Sequence, residues 1–513
     1  MISNKKQFLF NLMSSYGSSI INVVLSFISV PIVLNYWDKE LYGIWTIIVS
    51  FSTYISASGL GIDVSTGVLA TKTPNYNAKK QIVKSGFSLL LICAILIGLV
   101  FLGITLIFPD WFKIIGKMSD TNYIFAKTAT IIYFFGLVIN LPFNTISNSL
   151  QSIGKAYVAT LIGTLQIIFN FLIVVLVVSL KMTLPIYVLL ISINAVFCSL
   201  IKMVLFIFYF NKGKREWDVE SHELNGEFFD RRNNYKTILI TGINMSIYGL
   251  AIMLIPNISN LIITNEIDVK SVVPYSISYK LFSTIAFFWN SLNVALAPIF
   301  GKEFGNNNWE WIEINFTRMF RTTISLSIFL ICGVLWLSKP FIRIWTGSFE
   351  NFAGQWLSLF LALTFFIYAL TNVNLVVINS FNYLKNVWLI SWGEGVIFII
   401  TAKLLISKIG IIGVPLGLFL GAFSVSSWAY PFVVYKRSNR RLKYDILYLI
   451  KNLIVFFISV ILYLIVYCFV DNMVLQLICS GVGFFATTGL IIYCLADDVK
   501  KVLHSKIKRR VSV

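Results

Sequence analysis

Long, nearly unbroken apolar runs are the feature that most constrains this chain. An apolar stretch of about 20 residues crosses a bilayer as a helix, whereas a barrel strand needs only about ten residues of alternating polarity. The runs therefore predict an all-α integral membrane protein with about 14 transmembrane helices. They cover residues 8–36, 41–65, 82–108, 123–149, 157–179, 184–210, 237–263, 273–300, 318–338, 356–381, 386–407, 410–435, 446–470 and 474–496.

The composition leaves little room for a catalytic domain. Hydrophobic residues make up 58% of the 513 residues and charged residues only 12%, against about 25% charged in soluble domains. His222 and His504 are the only histidines and lie in polar segments, which excludes histidine catalysis at membrane depth. The six cysteines lie in apolar runs without a C-x-x-C pair, so they indicate neither a zinc site nor a disulfide framework. We expect no enzyme activity, no metal and no cofactor.

The net charge of +19 reads as a topology signal. With a cytoplasmic N-terminus, 29 lysines and arginines fall on the cytoplasmic side and ten on the other. Cytoplasmic loops of membrane proteins carry such an excess of basic residues. The pattern predicts a multi-pass protein of the bacterial inner membrane with both termini in the cytoplasm. It also favours contact of the basic loops with membrane lipids over nucleic-acid binding.

An internal repeat divides the spans. Three short segments recur at an offset of 230 or 231 residues, each at the same boundary of a six-span unit; the matched positions are Asp38 with Asp268, Pro109 with Pro340, and Asn148 with Asn379. Six is an even number, so both halves begin on the same side and the repeat is parallel, with a pseudo-two-fold axis along the membrane normal. Such repeats are typical of transporters.

The repeat predicts four segments. Two six-helix lobes are joined by a cytoplasmic loop, and two C-terminal helices with a basic tail lie outside the repeat. The segments are residues 1–210 for the N-lobe, 211–236 for the loop, 237–437 for the C-lobe and 438–513 for the last helix pair and tail.

Polar side chains inside the spans are the substrate-binding candidates, because polar groups at membrane depth are costly. Lys280 lies about seven residues into the eighth span, and Asn290 shares its helix face. Lys280 either extends outward to the interface or faces a central cavity as a cation for an anionic substrate. Asn144 and Asn148 form a polar stripe on the fourth span, and Asn22 belongs to a polar face of the first span. Tight helix packing and cavity lining remain open for the face that includes Asn22.

Two acidic residues are the candidates for coupling transport to a cation. Glu394 lies inside the eleventh span between Gly393 and Gly395. It either pairs with a base such as Lys280 or exchanges protons or cations. Asp63, near the cytoplasmic end of the second span, is either a helix cap or a second coupling residue.

The chain resembles the polysaccharide-unit flippases (Wzx type, transporters of O-antigen or capsule repeat units) of the multidrug/oligosaccharidyl-lipid/polysaccharide exporter superfamily. The resemblance rests on the six-plus-six repeat with two extra helices and on three motifs: Leu41-Tyr42-Gly43-Ile44, Gly59-Leu60-Gly61-Ile62-Asp63, and Tyr275 to Leu281. It implies a substrate built of a sugar oligomer on undecaprenyl pyrophosphate, part of lipopolysaccharide or capsule biosynthesis. It further implies alternating access of the two lobes, H⁺ or Na⁺ as coupling ion, and polysaccharide polymerase or chain-length proteins as partners.

Two rival functions remain. A cation-coupled drug exporter of the same superfamily shares the twelve-helix core, and only the terminal helix pair, the scarcity of deep acids and the position of Lys280 argue against it. A membrane polysaccharide polymerase would carry a large external loop with catalytic side chains. The longest external loop here, residues 339–355, is short.

Overall fold

The structure is a computed structural model. It describes residues 2–73, 76–108, 111, 119–212, 231–381, 383, 386–470 and 475–491. The described residues are almost entirely helical and include no strand, in agreement with the predicted all-α fold. They form two compact units, Met1–Val273 and Pro274–Val513.

The first unit contains nine helices and the start of a tenth. They are α1 (Ile2–Tyr36), α2 (Lys39–Ser58), α3 (Ile62–Lys72), α4 (Tyr76–Ile107), α5 (Asp120–Asn140), α6 (Asn144–Ser152), α7 (Ala156–Ser179), α8 (Leu184–Lys212), α9 (Arg231–Glu266) and α10 (Val272–Ser283). Two apolar clusters form its core. One lies among α4, α6, α7 and α8, and the other among α1, α2, α5 and α8.

The second unit contains the rest of α10 and eight further helices. They are α11 (Ile285–Gly305), α12 (Trp309–Thr346), α13 (Gln355–Ser380), α14 (Trp388–Ile409), α15 (Gly413–Gly421), α16 (Ser427–Arg437), α17 (Ile446–Phe469) and α18 (Leu475–Ile491). A π-helical turn, Ala422–Ser426, joins α15 to α16. Helix α13 is central, because it packs against α11, α12, α15 and α16.

Nine stretches of the described chain are long and apolar enough to cross a membrane. They include most of the predicted spans, and one 50-residue stretch, Trp388–Arg437, covers the eleventh and twelfth. The helices at the predicted second, seventh and eighth spans are not among the nine. Helix α18, at the predicted fourteenth span, is a shorter apolar helix. An all-α membrane fold is confirmed, while the number of fourteen spans stays a prediction.

Two predicted spans are interrupted in the structure. The second span breaks between α2 and α3, where Leu60 and Gly61 have φ angles of 49° and 63°. The eighth span breaks at Thr284, between α10 and α11. There the Ser283 and Thr284 hydroxyls donate to the carbonyls of Lys280 and Leu281, at 2.9 and 2.6 Å. Side-chain hydroxyls that bond the preceding turn compete with the helical ladder and bend helices.

Helix α9 packs closely on the break in the second span. A Cβ atom on Gly61 would lie 2.7 Å from the carbonyl oxygen of Gly242 and 2.3 Å from Ser246 Oγ. Ser65 Oγ donates to the carbonyl of Ile238 at 2.9 Å, and Asn260 Nδ2 donates to Ser50 Oγ at 3.0 Å. These contacts assign α9 to the first unit, whereas the repeat assigns it to the C-lobe. The lobe boundaries drawn from the repeat stay a prediction.

The aspartates matched in the repeat make the same local contact. Asp38 Oδ1 accepts from the backbone N–H of Leu41 at 2.7 Å, and Asp268 Oδ1 accepts from that of Ser271 at 2.6 Å. Each carboxylate thus caps backbone donors just before or at the start of a helix. Pro109, the first residue of another repeated segment, lies outside the described residues, as do most of the predicted 211–236 loop and the basic tail from residue 492.

Candidate functional site

Glu394 on α14 is the most enclosed of the predicted site residues. It is 6% exposed. Tyr368 on α13 donates its hydroxyl to Glu394 Oε1 at 3.0 Å, and Ser426, at the end of the π-helical turn, donates to Oε2. Three separate elements of the second unit therefore meet at this carboxyl group.

A glycine stripe on α15 brings the π-helical turn against α14. Gly413, Gly417 and Gly421 follow at intervals of four and so share one helix face. A Cβ atom on Gly417 would lie 2.8 Å from the backbone nitrogen of Ala402, and one on Gly421 would lie 2.8 Å from the carbonyl oxygen of Glu394. Such small-residue stripes allow membrane helices to approach closely. The π-helical turn that follows directs Ser426 towards the carboxylate, and π-turns frequently occur at functional sites.

The partners of Glu394 suit two protonation states. A hydroxyl group both donates and accepts hydrogen bonds. Tyr368 and Ser426 can donate to the ionised carboxylate, and either can accept from the protonated acid after rotation of its O–H bond. The two hydroxyls occupy both carboxylate oxygens, so the arrangement does not require Lys280 as a counter-ion. The geometry favours proton exchange over a purely structural ion pair.

Lys280 lies in the last turn of α10 and is half-buried. Its chain neighbour Tyr279 meets Phe365 edge-on, with ring centroids 5.7 Å apart, and Phe365 meets Tyr368 at the same distance. A row of aromatic rings thus links the helix of Lys280 to the hydroxyl that binds Glu394. Asn290, predicted on the same face as Lys280, belongs to α11, but its side chain lies outside the described residues.

In the first unit, the structure brings Asp63 and Asn148 together. Asn148 Nδ2 on α6 donates to Asp63 Oδ2, in the first turn of α3, at 3.2 Å. The two helices approach closely because Gly67 carries no side chain; a Cβ atom there would lie 2.9 Å from Asn148 Cβ. Asn144 is half-buried one helical turn before Asn148 and shares its face. Asn22 is exposed on α1, away from this pair.

Glu40 forms a polar cluster that the sequence reasoning missed. It is 7% exposed, at the start of α2. Its Oε1 accepts from the backbone N–H and the hydroxyl of Ser119, at 2.6 and 3.0 Å, and its Oε2 lies 3.7 Å from Lys270 Nζ. The cluster ties α2 to the residues before α5 and α10. Its partners are 79 and 230 residues away in the chain, so no local pattern announces it.

Tyr368 and Ser426 were also missed as partners of Glu394. Their residue types are common in membrane helices, and a π-helical turn has no sequence signature. The glycine repeat at Gly413, Gly417 and Gly421 is the one signal that pointed to a close approach in this region.

The MatE family matches residues 245–392 of the chain. No curated protein sequence matches it. Among solved structures, the chain is similar to a multidrug resistance MATE family transporter of the MOP superfamily in an inward-facing conformation, with 15% identity and a TM-score of 0.67; the match covers 82% of this chain and 95% of that chain. An outward-facing MATE transporter of the same superfamily gives 12% identity and a TM-score of 0.60, with 85% and 97% covered.

The chain is also similar to the lipid II flippase MurJ in an inward closed conformation. Identity is 15% and the TM-score is 0.64, and the match covers 95% of this chain and all of that one. Identities this low show a shared fold, while function depends on the site. The chain is therefore an all-α, multi-pass membrane protein with the transporter fold that the MATE proteins and MurJ have in common.

Proposed function

We propose that this protein flips an undecaprenyl-pyrophosphate-linked oligosaccharide repeat unit across the bacterial inner membrane by alternating access of its two lobes. One observation carries the proposal. The MurJ match covers 95% of the chain, whereas the two MATE matches cover 82% and 85%. The difference of 10 to 13% is close to the length of the C-terminal segment 438–513. This chain thus has about the full extent of a protein named as a lipid flippase.

The proposed substrate has two parts that need different surroundings. The sugar and its diphosphate are polar and costly to bring into hydrocarbon, whereas the polyprenyl chain is stable in lipid. In the proposed cycle a polar route carries the head group while the chain stays in the bilayer. Asn144, Asn148, Asn22 and Asn290 are the proposed amide contacts to the sugar.

We assign the diphosphate contact to Lys280. A half-buried ammonium group provides a cation for a phosphate, and reversal of its charge would repel the substrate. Lys280→Glu should therefore abolish surface glycan in cells that depend on this protein, while membrane insertion is unchanged. Lys403→Glu on α14 is the matched control, because Lys403 is exposed near the end of a predicted span. Normal glycan with Lys280→Glu would contradict the assignment.

We assign ion coupling to Glu394, with Asp63 as a second candidate. The hydroxyl partners of Glu394 accommodate proton gain and loss, which supports H⁺ over Na⁺ as the coupling ion. Glu394→Gln keeps the shape of the side chain but cannot titrate. We expect it to remove the dependence of transport on a pH gradient in proteoliposomes. Glu313→Gln, at an exposed position of α12, should retain that dependence.

The decisive test of the function is the substrate itself. Deletion of the gene in its native host should cause lipid-linked repeat units to accumulate on the cytoplasmic side and surface polysaccharide to disappear, and a plasmid copy should restore both. The second candidate, a cation-coupled drug exporter, is favoured by the MatE match and the MATE structures. A deletion strain with normal glycan and raised drug susceptibility would establish the exporter.

A further inference from the structure

The first unit encloses a cavity of about 350 Å³ that the transport proposal does not use. It lies among α2, α4 and α5, and Trp111 closes one side. Aromatic residues form half of its lining: Phe51, Tyr54, Phe101, Trp111, Tyr133 and Phe134. Ligand sites of this size, mainly apolar with a few polar groups, are typical of proteins that hold small or chain-like hydrophobic ligands.

The lining excludes a charged ligand. None of the described residues that line the cavity is charged. Ser58 and Thr130 donate their hydroxyls to backbone carbonyls of their own helices, at 2.5 and 2.8 Å. The Tyr54 hydroxyl is buried and has no hydrogen-bond partner among the described residues. Neither a sugar nor a phosphate would find partners for its polar atoms here.

The cavity lies next to the hydrocarbon of the bilayer. Ile97 and Phe101 of α4 line it. Their neighbours Leu96, Leu99 and Val100 are 57, 60 and 63% exposed. Adjacent positions of a helix are about 100° apart, so one side of α4 faces the cavity and the next side faces lipid. Lipid chains therefore surround the wall of the cavity.

We propose that this cavity binds one acyl chain of a bilayer phospholipid. An engineered apolar cavity of about 150 Å³ stays dry, and the cavity here is more than twice that size with one unpaired hydroxyl, so water has too few partners in it. An empty cavity would forfeit the dispersion contacts of its lining. A flexible hydrocarbon chain restores them and is the most abundant apolar molecule beside α4. The bound lipid is a resident of the N-terminal unit and is distinct from the transported substrate.

Quenching of Trp111 fluorescence by brominated lipid tests the proposal. The protein is reconstituted in phosphatidylcholine with brominated acyl chains, and the Trp111 share is the difference between wild type and Trp111→Phe. Ile97→Phe fills the cavity, whereas Leu96→Phe makes the same type of change on the lipid-facing side of α4. We expect the Trp111 share of quenching to be lost in Ile97→Phe and retained in Leu96→Phe. Equal quenching in both variants means that bromines reach Trp111 from the bulk bilayer, which would overturn the proposal.

Two further arms identify the occupant. Brominated polyprenyl phosphate in an unbrominated bilayer tests the carrier chain; quenching by it alone would overturn the acyl-chain assignment. Tyr54→Phe should leave quenching unchanged, because an acyl chain has no acceptor for that hydroxyl at this depth. Loss of quenching in Tyr54→Phe would point to a ligand with an acceptor group and contradict the proposal. Native mass spectrometry adds a measurement independent of fluorescence: wild type and Leu96→Phe should retain one phospholipid more than Ile97→Phe, and equal retention would overturn the proposal.

Discussion

The close approach of α15 to α14 predicts that Gly421→Ala is strongly destabilising. Its methyl group would lie 2.8 Å from the carbonyl oxygen of Glu394 and 3.2 Å from the nitrogen of Phe398. An ordinary Cβ contact begins at 3.4 Å, so the helices must separate by about 0.6 Å at this point. Ser426 follows five residues later, and this separation would stretch its hydrogen bond to the Glu394 carboxylate.

The expected cost follows from three contributions. Overpacking costs about 1–3 kcal/mol. Loss of a hydrogen bond to a charged group costs about 1.5–3 kcal/mol. Alanine offsets about 0.5–1 kcal/mol of this because it is the better helix former. The net loss is about 2–4 kcal/mol, which corresponds to a fall of about 5–15 °C in melting temperature for a unit of this size.

The assay is thermal unfolding of the purified protein in detergent, followed by intrinsic fluorescence. Gly393→Ala on α14 is the matched control, because its methyl group would lie 3.7 Å from Val425 Cγ1, an ordinary contact distance. It carries the same gain in helix propensity without the clash, so its melting temperature should be unchanged or slightly higher. Equal melting temperatures for Gly421→Ala and Gly393→Ala would refute the close approach and the geometry derived for Glu394.

Two other sites give predictions of stability. At Asp445, burial raises the pKa, but the Tyr448 N–H and Arg321 outweigh it and hold the pKa below its ordinary value. Its contribution is therefore present above about pH 4 and lost as pH falls through the lower folded-state pKa; Asp445→Asn should weaken the fall in melting temperature on acidification, and an identical acid limb would contradict the contact. At Glu40, whose side chain is 9% exposed, the Glu40→Ala variant should cost about 2 kcal/mol, because buried donors lose their acceptor. Lys270→Ala should cost less than about 0.5 kcal/mol, because that side chain is 63% exposed and its ion pair is screened; equal shifts in melting temperature would refute this ranking.

Hydropathy predicted the helices well where they face lipid and less well where they face protein. The first span and those in α4, α7 and α8 follow from apolar composition alone. Helices α2 and α9 fall short of the same criterion because they carry polar groups that bond inside the protein. Asn260 on α9, for example, donates to Ser50 on α2. A hydropathy window treats such a residue as exposed to lipid and cannot register its partner.

The candidate residues show the same division. The sequence singled out Asp63 and Asn148 separately, for one as a coupling group and for the other as a sugar contact, without indicating that they touch. Only the gap left by Gly67 brings them together. Likewise, Glu394 stood out as a charge in an apolar run, but its partners follow from a π-helical turn and from a helix 26 residues upstream.

Burial of apolar side chains and the cost of polar ones are properties of each segment, so the amino-acid order alone was enough to specify a membrane protein made of helices and to mark the deep polar residues. Hydrogen bonds, helix breaks and cavities depend on distances of a few ångströms between segments far apart in the chain. Those distances arise when all helices pack at once. The hydroxyl pair around Glu394, the break that receives α9 and the apolar cavity beside α4 were therefore decided by the tertiary structure.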